Sequence, residues 1–231
     1  MSSPQHGLSL VEIMIAMTIG LLVIAGIFQL FLNTRLSNST QNGMSSLYEN
    51  ARYAMFILGE DLMMAGYDNA TGTIPQGITA SVDNNSGDEI TISYQSTRDC
   101  TRIGTGTPGG TITNRYFIGT SNGVSNLMCQ GSVGGTQPLV EGVENMQFLY
   151  GEDLDNDNIA DLYVSAPNVT DWTRVVSIRV ALLIASMEDV ATTADSNGYI
   201  LFNPPPITPT TNLLQRRRVF NRLILLRNNI S

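Results

Sequence analysis

The fold is decided by residues 7–32, which read GLSLVEIMIAMTIGLLVIAGIFQLFL. Glu12 is the only charged residue of this stretch, and almost everything after it is apolar. At a rise of about 1.5 Å per residue, a helix from Leu8 to Leu32 spans a hydrocarbon core of roughly 30 Å. The stretch therefore predicts a helix that crosses a membrane.

A removable secretory signal peptide is the first alternative for this segment. Such a signal has a basic region, an apolar core of about 7–15 residues and small residues at the cleavage site. Residues 1–7 contain no Lys or Arg, the apolar run is longer, and it ends in FQLFL, without small residues. The sequence therefore favours a retained helix.

Glu12 lies near the start of the predicted helix and needs a partner or a function. A carboxylate in a membrane helix costs about 2.5–3.5 kcal/mol at the bilayer centre and less near the edge. One explanation is a capping box, in which Ser9 and Glu12 satisfy free amide groups of the first turn. That explains a glutamate at a helix start, but not the short polar leader ending in Gly7.

Residues 7–12, GLSLVE, resemble the processing site of type IV prepilins. The resemblance implies that prepilin peptidase cleaves after Gly7 and that the new N-terminus, Leu8, is methylated. It also implies that Glu12 pairs with the Leu8 amine of a neighbouring subunit during assembly. Two departures stand out: Leu8 occupies a position where Phe is usual, and the leader has His6 in place of a basic residue.

The composition excludes several classes of function. The formal charge is −8 and all twelve basic residues are Arg, which argues against general nucleic-acid binding. The sole histidine, His6, lies in the leader, so the processed chain would contain neither His nor Lys. Histidine-dependent nucleophiles, catalytic lysines and histidine-ligated zinc are thereby excluded. Only carboxylate chemistry would then remain for an enzyme.

After a polar interval, apolar residues recur with the spacing of one helical face. They are Leu47, Ala51, Ala54, Leu58, Leu62 and Ala65. We predict one helix from about Leu8 to Ala65, ended by Gly66. Residues 8–32 would form its transmembrane part, and residues 33–66 an amphipathic continuation packed on a soluble domain.

Residues 67–231 have the composition of strands and turns. The strands are predicted at 78–82, 89–95, 115–119, 126–129, 143–150, 174–187 and 218–227. The expected fold class is α+β, with a long N-terminal helix packed on an antiparallel β-sheet domain. The resemblance to prepilins implies that this domain lies in the periplasm. We interpret Arg216–Arg218 as part of the solvated face of the last strand rather than as a site for nucleic acid or anionic lipid.

Cys100 and Cys129 are the only cysteines, and both fall in the part expected outside the cytoplasm. An oxidising compartment favours a disulfide between them. In the chain-entropy model, closing a loop of this length stabilises a fold by roughly 3–4 kcal/mol. Two free buried thiols are the alternative.

The stretch 153–161, DLDNDNIAD, matches part of a calcium-binding loop. Positions one, three, five and nine are Asp153, Asp155, Asp157 and Asp161, whose carboxylates could converge on one hard cation. The match is incomplete, because Asn158 replaces the usual Gly and Val164 replaces the bidentate Glu. A solvated acidic turn explains the stretch equally well. A hydrolytic carboxylate pair is disfavoured, since adjacent loop aspartates lack apolar surroundings.

Later segments narrow the resemblance to the PilW family of minor pilins. They are residues 48–54, 61–67, 139–147, 150–153 and 175–183. Membership implies a pilin-like fold and a role in priming a type IV pilus, docking with other minor pilins, the major pilin and a large tip adhesin. It also implies that the protein is not an enzyme and requires no cofactor. The chain would span the inner membrane once and reach the pilus tip after assembly. Two alternatives stay open: a minor pseudopilin of a type II secretion system and a membrane-anchored, calcium-dependent binding module.

Overall fold

The computed structural model describes residues 9–68, 77–84, 86–104, 109–202 and 205–228. One continuous helix, α1, occupies Leu10–Met64. It ends before Gly66, whose φ of 78° is a left-handed conformation that glycine adopts without strain. The predicted helix is therefore confirmed from Leu10 onward, whereas Leu8 lies outside the described residues.

The chain divides into two compact units, residues 1–42 and 43–231. In the first unit the apolar side chains of α1 are exposed, with Leu22 at 74% and Leu30 at 68% of full exposure. By length and composition, α1 could cross a membrane. This unit therefore carries the apolar surface that a membrane-crossing helix requires.

The second unit contains two antiparallel sheets in its described part. The first is a meander in the order β1-β2-β3-β4-β5, with strands β1 (Ile78–Val82), β2 (Glu89–Gln95), β3 (Thr111–Ser121), β4 (Val124–Gly131) and β5 (Gly135–Glu141). The second has the order β7-β6-β8-β9, with strands β6 (Val143–Glu152), β7 (Leu162–Val164), β8 (Val175–Ala185) and β9 (Arg217–Leu225). Two short 3₁₀ turns, Ala166–Asn168 and Trp172–Arg174, precede β8.

The chain passes from the first sheet to the second through a single residue, Gly142. Its φ is 80°, and a side-chain Cβ there would lie 2.7 Å from the carbonyl oxygen of Ala185. Only glycine fits this conformation and this close approach. The sequence predicted neither this switch nor strands β5 and β7, so it predicted one sheet where the structure has two.

The core lies between α1 and both sheets. The predicted apolar face of the helix is buried, including Leu47, Leu58 and Leu62, each fully inaccessible to solvent. It packs in one cluster with residues of the first sheet, such as Ile92, and of the second, such as Phe148. The predicted α+β class, with a long helix on an antiparallel β-sheet domain, is confirmed.

Arg217 departs from the interpretation of Arg216–Arg218 as a solvated strand face. Its guanidinium is buried and donates two hydrogen bonds to the carboxylate of Glu144, at 2.7 and 2.8 Å. Asp195 lies 3.5 Å away. Burial lowers the pKa of Arg217, but the bonds to Glu144 outweigh it and raise the pKa. Arg217 thus ties β9 to β6, while Arg216 and Arg218 are exposed.

Candidate functional site

Glu12 lies in the first turn of α1 with its side chain exposed. The backbone N–H of Ser9 donates to Glu12 Oε2 at 3.4 Å, which is half of the predicted capping box. Among the described residues this is the single hydrogen bond of the Glu12 carboxylate. Capping therefore explains only part of its bonding capacity. Gly7 and Leu8 lie outside the described residues, so processing and methylation there stay predictions.

Cys100 and Cys129 form a disulfide, with Cα atoms 6.4 Å apart. This prediction is confirmed. Cys100 follows β2 in a loop, whereas Cys129 lies fully buried in β4. The bond therefore ties the loop after β2 to an interior strand of the first sheet.

Asp99, next to Cys100, also ties the loop after β2 to the first sheet, at the turn between β4 and β5. Its carboxylate accepts bonds from the backbone N–H groups of Val133 and Gly134, each at 2.8 Å, and from the hydroxyl and N–H of Thr101. Burial raises the pKa of Asp99, but these donors outweigh it and hold the pKa below its usual value. No local pattern predicted the role of Asp99, because Val133 and Gly134 lie 34 and 35 positions further along the chain.

A second missed carboxylate, Asp61, joins the end of α1 to the first sheet. It accepts hydrogen bonds from the Tyr94 hydroxyl at 2.9 Å, from Asn114 Nδ2 at 2.7 Å and from the Tyr116 hydroxyl. Burial raises the pKa of Asp61 by more than these bonds lower it. The only available signal was an acidic residue beside the buried helix face at Leu62. The arrangement has neutral donors around one carboxylate and is structural in character.

The aspartate loop, residues 153–161, connects β6 to β7. Asp153, Asp155 and Asp161 each place one carboxylate oxygen within 4.8 Å of the others, so they could hold a metal ion. Asp157 lies outside this group, and its carboxylate accepts the N–H of Ile159 at 2.8 Å. Asn158 has a φ of 65°, the left-handed conformation that the usual glycine would take.

The electrostatics of the loop reflect crowded negative charge. The charge of Asp157 is the main cause that raises the pKa of Asp155, with burial and Asp161 adding to it. Burial also raises the pKa of Asp153, but the N–H groups of Asn158 and Asn156, each at 2.7 Å, outweigh it and lower the pKa. A hard cation would relieve the repulsion.

Two family models match the chain. The model described as Type IV Pilus-assembly protein W matches residues 115–228, and the Prokaryotic N-terminal methylation motif matches residues 2–28. The chain belongs to the PilW family. Its PilW match spans Cys129, the aspartate loop and β9, and its methylation-motif match spans Gly7, Leu8 and Glu12. This PilW-family chain is a type IV pilus minor pilin with a pilin-like fold, and pilins are structural proteins.

Two solved structures are similar in fold to this PilW-family chain. The type IV-like pilin TTHA1219 from Thermus thermophilus has a TM-score of 0.48 and 15% identity, over 80% of this chain and 98% of that one. One chain of the GspK-GspI-GspJ complex from the enterotoxigenic Escherichia coli type 2 secretion system has a TM-score of 0.37 and 9% identity, over 78% of this chain and 97% of that one. A search of curated proteins gives no match. These similarities are too remote to carry an inference about function.

Proposed function

We propose that this chain helps to prime and assemble a type IV pilus by docking with other minor pilins, the major pilin and a large tip adhesin. Prepilin peptidase would remove residues 1–7, and Leu8 would be methylated. Residues 8–32 would cross the inner membrane, with residues 33–66 as the amphipathic continuation and residues 67–231 as the periplasmic domain. After assembly the subunit would lie at the pilus tip. The role is structural, without catalysis or a required cofactor.

The observation that carries this proposal is the state of Glu12. It is the only charge in an exposed apolar stretch, and its one donor within the described residues is 3.4 Å away, beyond the usual range of about 2.7–3.2 Å. A protonated amine at Leu8 of a neighbouring subunit would supply a shorter, charge-assisted bond. Pairing would also remove the cost of an uncompensated carboxylate in the membrane. These features support a function of Glu12 between subunits.

The test is complementation of a strain that lacks this chain. We expect Glu12→Leu to be inserted and processed but not to restore pili, counted by electron microscopy. Ser9→Ala is the matched control, because the bond to Glu12 comes from the Ser9 backbone, and it should restore pili. Normal incorporation of Glu12→Leu would show that capping was its whole role. An uncleaved leader in the intact mass of the extracted protein would contradict the prepilin assignment.

A minor pseudopilin of a type II secretion system is the alternative within the same class of protein. It would share the prepilin start and the α+β fold. Deletion of the chain separates the two: we expect loss of pili with protein export intact. Arrested export with normal pili would instead assign the chain to secretion.

We also propose that the aspartate loop binds calcium, because three of its carboxylates converge within 4.8 Å. Calcium at one hundred times its Kd would stabilise the domain by about 2.7 kcal/mol, so a chelator should lower the Tm. Asp155→Asn should abolish this response, whereas Asp157→Asn should keep most of it, since Asp157 lies outside the group. If chelator does not change the Tm of the wild type, the loop is a solvated acidic turn and does not bind calcium. A chelator-dependent Tm would also support the alternative function as a calcium-dependent binding module.

A further inference from the structure

β9 forms an edge of the second sheet, and no strand lies beyond it in the described part of the chain. Its register with β8 identifies the free backbone groups. Leu226 N–H donates to the Val176 carbonyl at 2.9 Å, and Ser186 N–H donates to the Arg216 carbonyl at 2.8 Å. Bonding alternates along an antiparallel pair, so even-numbered residues of β9 bond to β8. The odd-numbered residues direct N–H and C=O toward the open edge: Val219, Asn221, Leu223 and Leu225.

A groove of about 570 Å³ lies between β9 and the second half of α1. Tyr48 and Met55 line it from the helix and Phe220 from the strand, and the rings of Tyr48 and Phe220 meet edge to face at 5.6 Å. Arg222 donates to the Met55 carbonyl at 3.1 Å, which holds strand and helix together. An edge strand beside a helix is the geometry in which an extended peptide adds to a sheet.

The charge around β9 is opposite to that of the whole chain. Residues 196–231 contain five Arg and no Asp or Glu, in a chain of formal charge −8. Arg217 is neutralised internally, but Arg218 and Arg222 are exposed and Arg52 lines the groove, against one acidic lining residue, Glu49. Two copies joined through β9 would bring their arginines together, which disfavours self-pairing. The complementary partner is acidic.

We propose that the open edge of β9 binds an extended, acidic segment of a partner protein as an additional strand. The inference rests on the proposed docking role and specifies the chemistry of one partner. Alternate side chains of the bound segment would face the groove, and the others would lie beside Leu223 and Leu225, which are 51% and 61% exposed. Backbone bonds would supply affinity, and the arginines would select for carboxylates.

The probe is a fluorescein-labelled peptide, TEVEVEVET, titrated with the full chain in neutral detergent micelles and followed by anisotropy. Two comparison peptides separate the contributions. TEVEPEPET keeps the charge but loses two backbone donors, at its fifth and seventh residues, and TKVKVKVKT keeps the strand propensity but reverses the charge. We expect both to bind at least about tenfold more weakly than the acidic strand peptide, a difference of about 1.4 kcal/mol.

Variants of the chain test the same two contributions. Asn221→Pro removes an N–H that faces the open edge and leaves the ladder to β8 intact, so binding should fall at least about tenfold while Asn221→Ala binds normally. Arg218→Gln with Arg222→Gln should weaken binding similarly. Arg98→Gln with Arg102→Gln is the matched control, since these exposed arginines lie in the loop between β2 and β3. A cooperative thermal transition shows that each variant is folded.

Three results would overturn the inference. Equal binding of TEVEPEPET would mean charge attraction without strand pairing. No binding of any peptide would mean that the arginines only prevent aggregation through the open edge. Arginine-dependent binding to phosphatidylglycerol vesicles without peptide binding would assign the surface to lipid. These three results do not depend on the pilus counts with Glu12→Leu, because Glu12 is not among the residues that line the groove. The two proposals can therefore be rejected independently of each other.

Discussion

Glu12 and Asp61 show two opposite ways of placing a carboxylate beside apolar surface on one helix. Asp61, in the second half of α1, accepts three hydrogen bonds from side chains of β2 and β3. Glu12, in the first half, has one long bond from the Ser9 backbone. The apolar neighbours of Asp61 are buried within the domain, whereas those of Glu12 are exposed.

This difference shows which contacts stabilise each half of α1. The second half buries its apolar face against the sheets of its own chain, so its carboxylate is bonded internally. The apolar side chains of the first half are exposed, so both this apolar surface and its charge are available to lipid or to other subunits. Substitutions inside the domain should therefore reduce its stability, with Leu58→Asp having the largest effect. Glu12→Leu, in the first half of α1, should have the smallest.

A buried charge in the second half should have the largest effect. Leu58→Asp places a carboxylate at a fully buried position and should destabilise the domain by about 5 kcal/mol or more, enough to abolish cooperative folding. Leu22→Asp, at an exposed position of the first half, should leave domain unfolding within about 0.5 kcal/mol of wild type. Its cost, about 2.5–3.5 kcal/mol, should appear in membrane insertion.

Urea unfolding in detergent, followed by tryptophan fluorescence, measures both variants. Trp172 is the single tryptophan, and its ring lies 4.8 Å from that of Tyr150 in the core. Similar losses of domain stability in the two variants would remove the distinction between the halves of α1.

Loss of the Asp61 carboxylate should have the next largest effect. Asp61→Ala leaves two hydroxyls and one amide without their acceptor, so we expect a loss of about 3–5 kcal/mol in the free energy of unfolding. Glu60→Ala, at the adjacent exposed position, should change it by less than about 0.5 kcal/mol. Equal effects would mean that Asp61 is not the attachment of α1 to the first sheet.

The carboxylates held inside the domain should also set its pH dependence. Burial raises the pKa of Asp88 from 3.8 to about 6, against the lowering effect of the Asn84 and Phe148 N–H groups. The folded state therefore binds this proton more tightly than the unfolded state. The stabilisation is complete below about pH 4 and is lost as the pH rises through about 6, by about 1–3 kcal/mol.

Asp88→Asn should flatten this part of the stability profile between pH 4 and 7, measured by urea unfolding. Glu141→Gln, which removes an exposed carboxylate, should leave the profile unchanged. Because other carboxylates also titrate, the relevant quantity is the difference between wild type and variant at each pH. A difference that does not vary with pH would contradict the assignment to Asp88.

Glu12→Leu should have the smallest effect on the fold. The hydrogen bond to the Glu12 carboxylate comes from Ser9, within the first unit, so domain stability should stay within about 0.5 kcal/mol at every pH. A larger change would show that Glu12 stabilises the domain itself. It would argue against a function of Glu12 between subunits.

Local patterns were enough to predict the main elements. The helical spacing from Leu47 to Ala65 predicted the buried face of α1, and alternation in residues 174–187 predicted the interior strand β8. These features depend on neighbours within a few positions, which a sequence displays directly.

The features that escaped prediction depend on distant residues. Asp61 meets Tyr116 across 55 positions, and Arg217 meets Glu144 across 73, so neither pairing leaves a local pattern. Strand β7 has three residues, too few for alternation to show. The exclusion of Asp157 from the acidic group follows from the course of the loop, which the spacing of aspartates alone does not determine.

The pairing of α1 with β9 also governs when the domain can form. Arg222 bonds to Met55 across 167 positions, and Asn228 bonds to Met63 across 165. Contacts of such separation form late, because the chain between them must first be ordered. During translation, the helix therefore waits for almost the whole domain before its partner strand leaves the ribosome. A chain that stops before Arg217 would expose the apolar strand β8 as an open edge and invite aggregation.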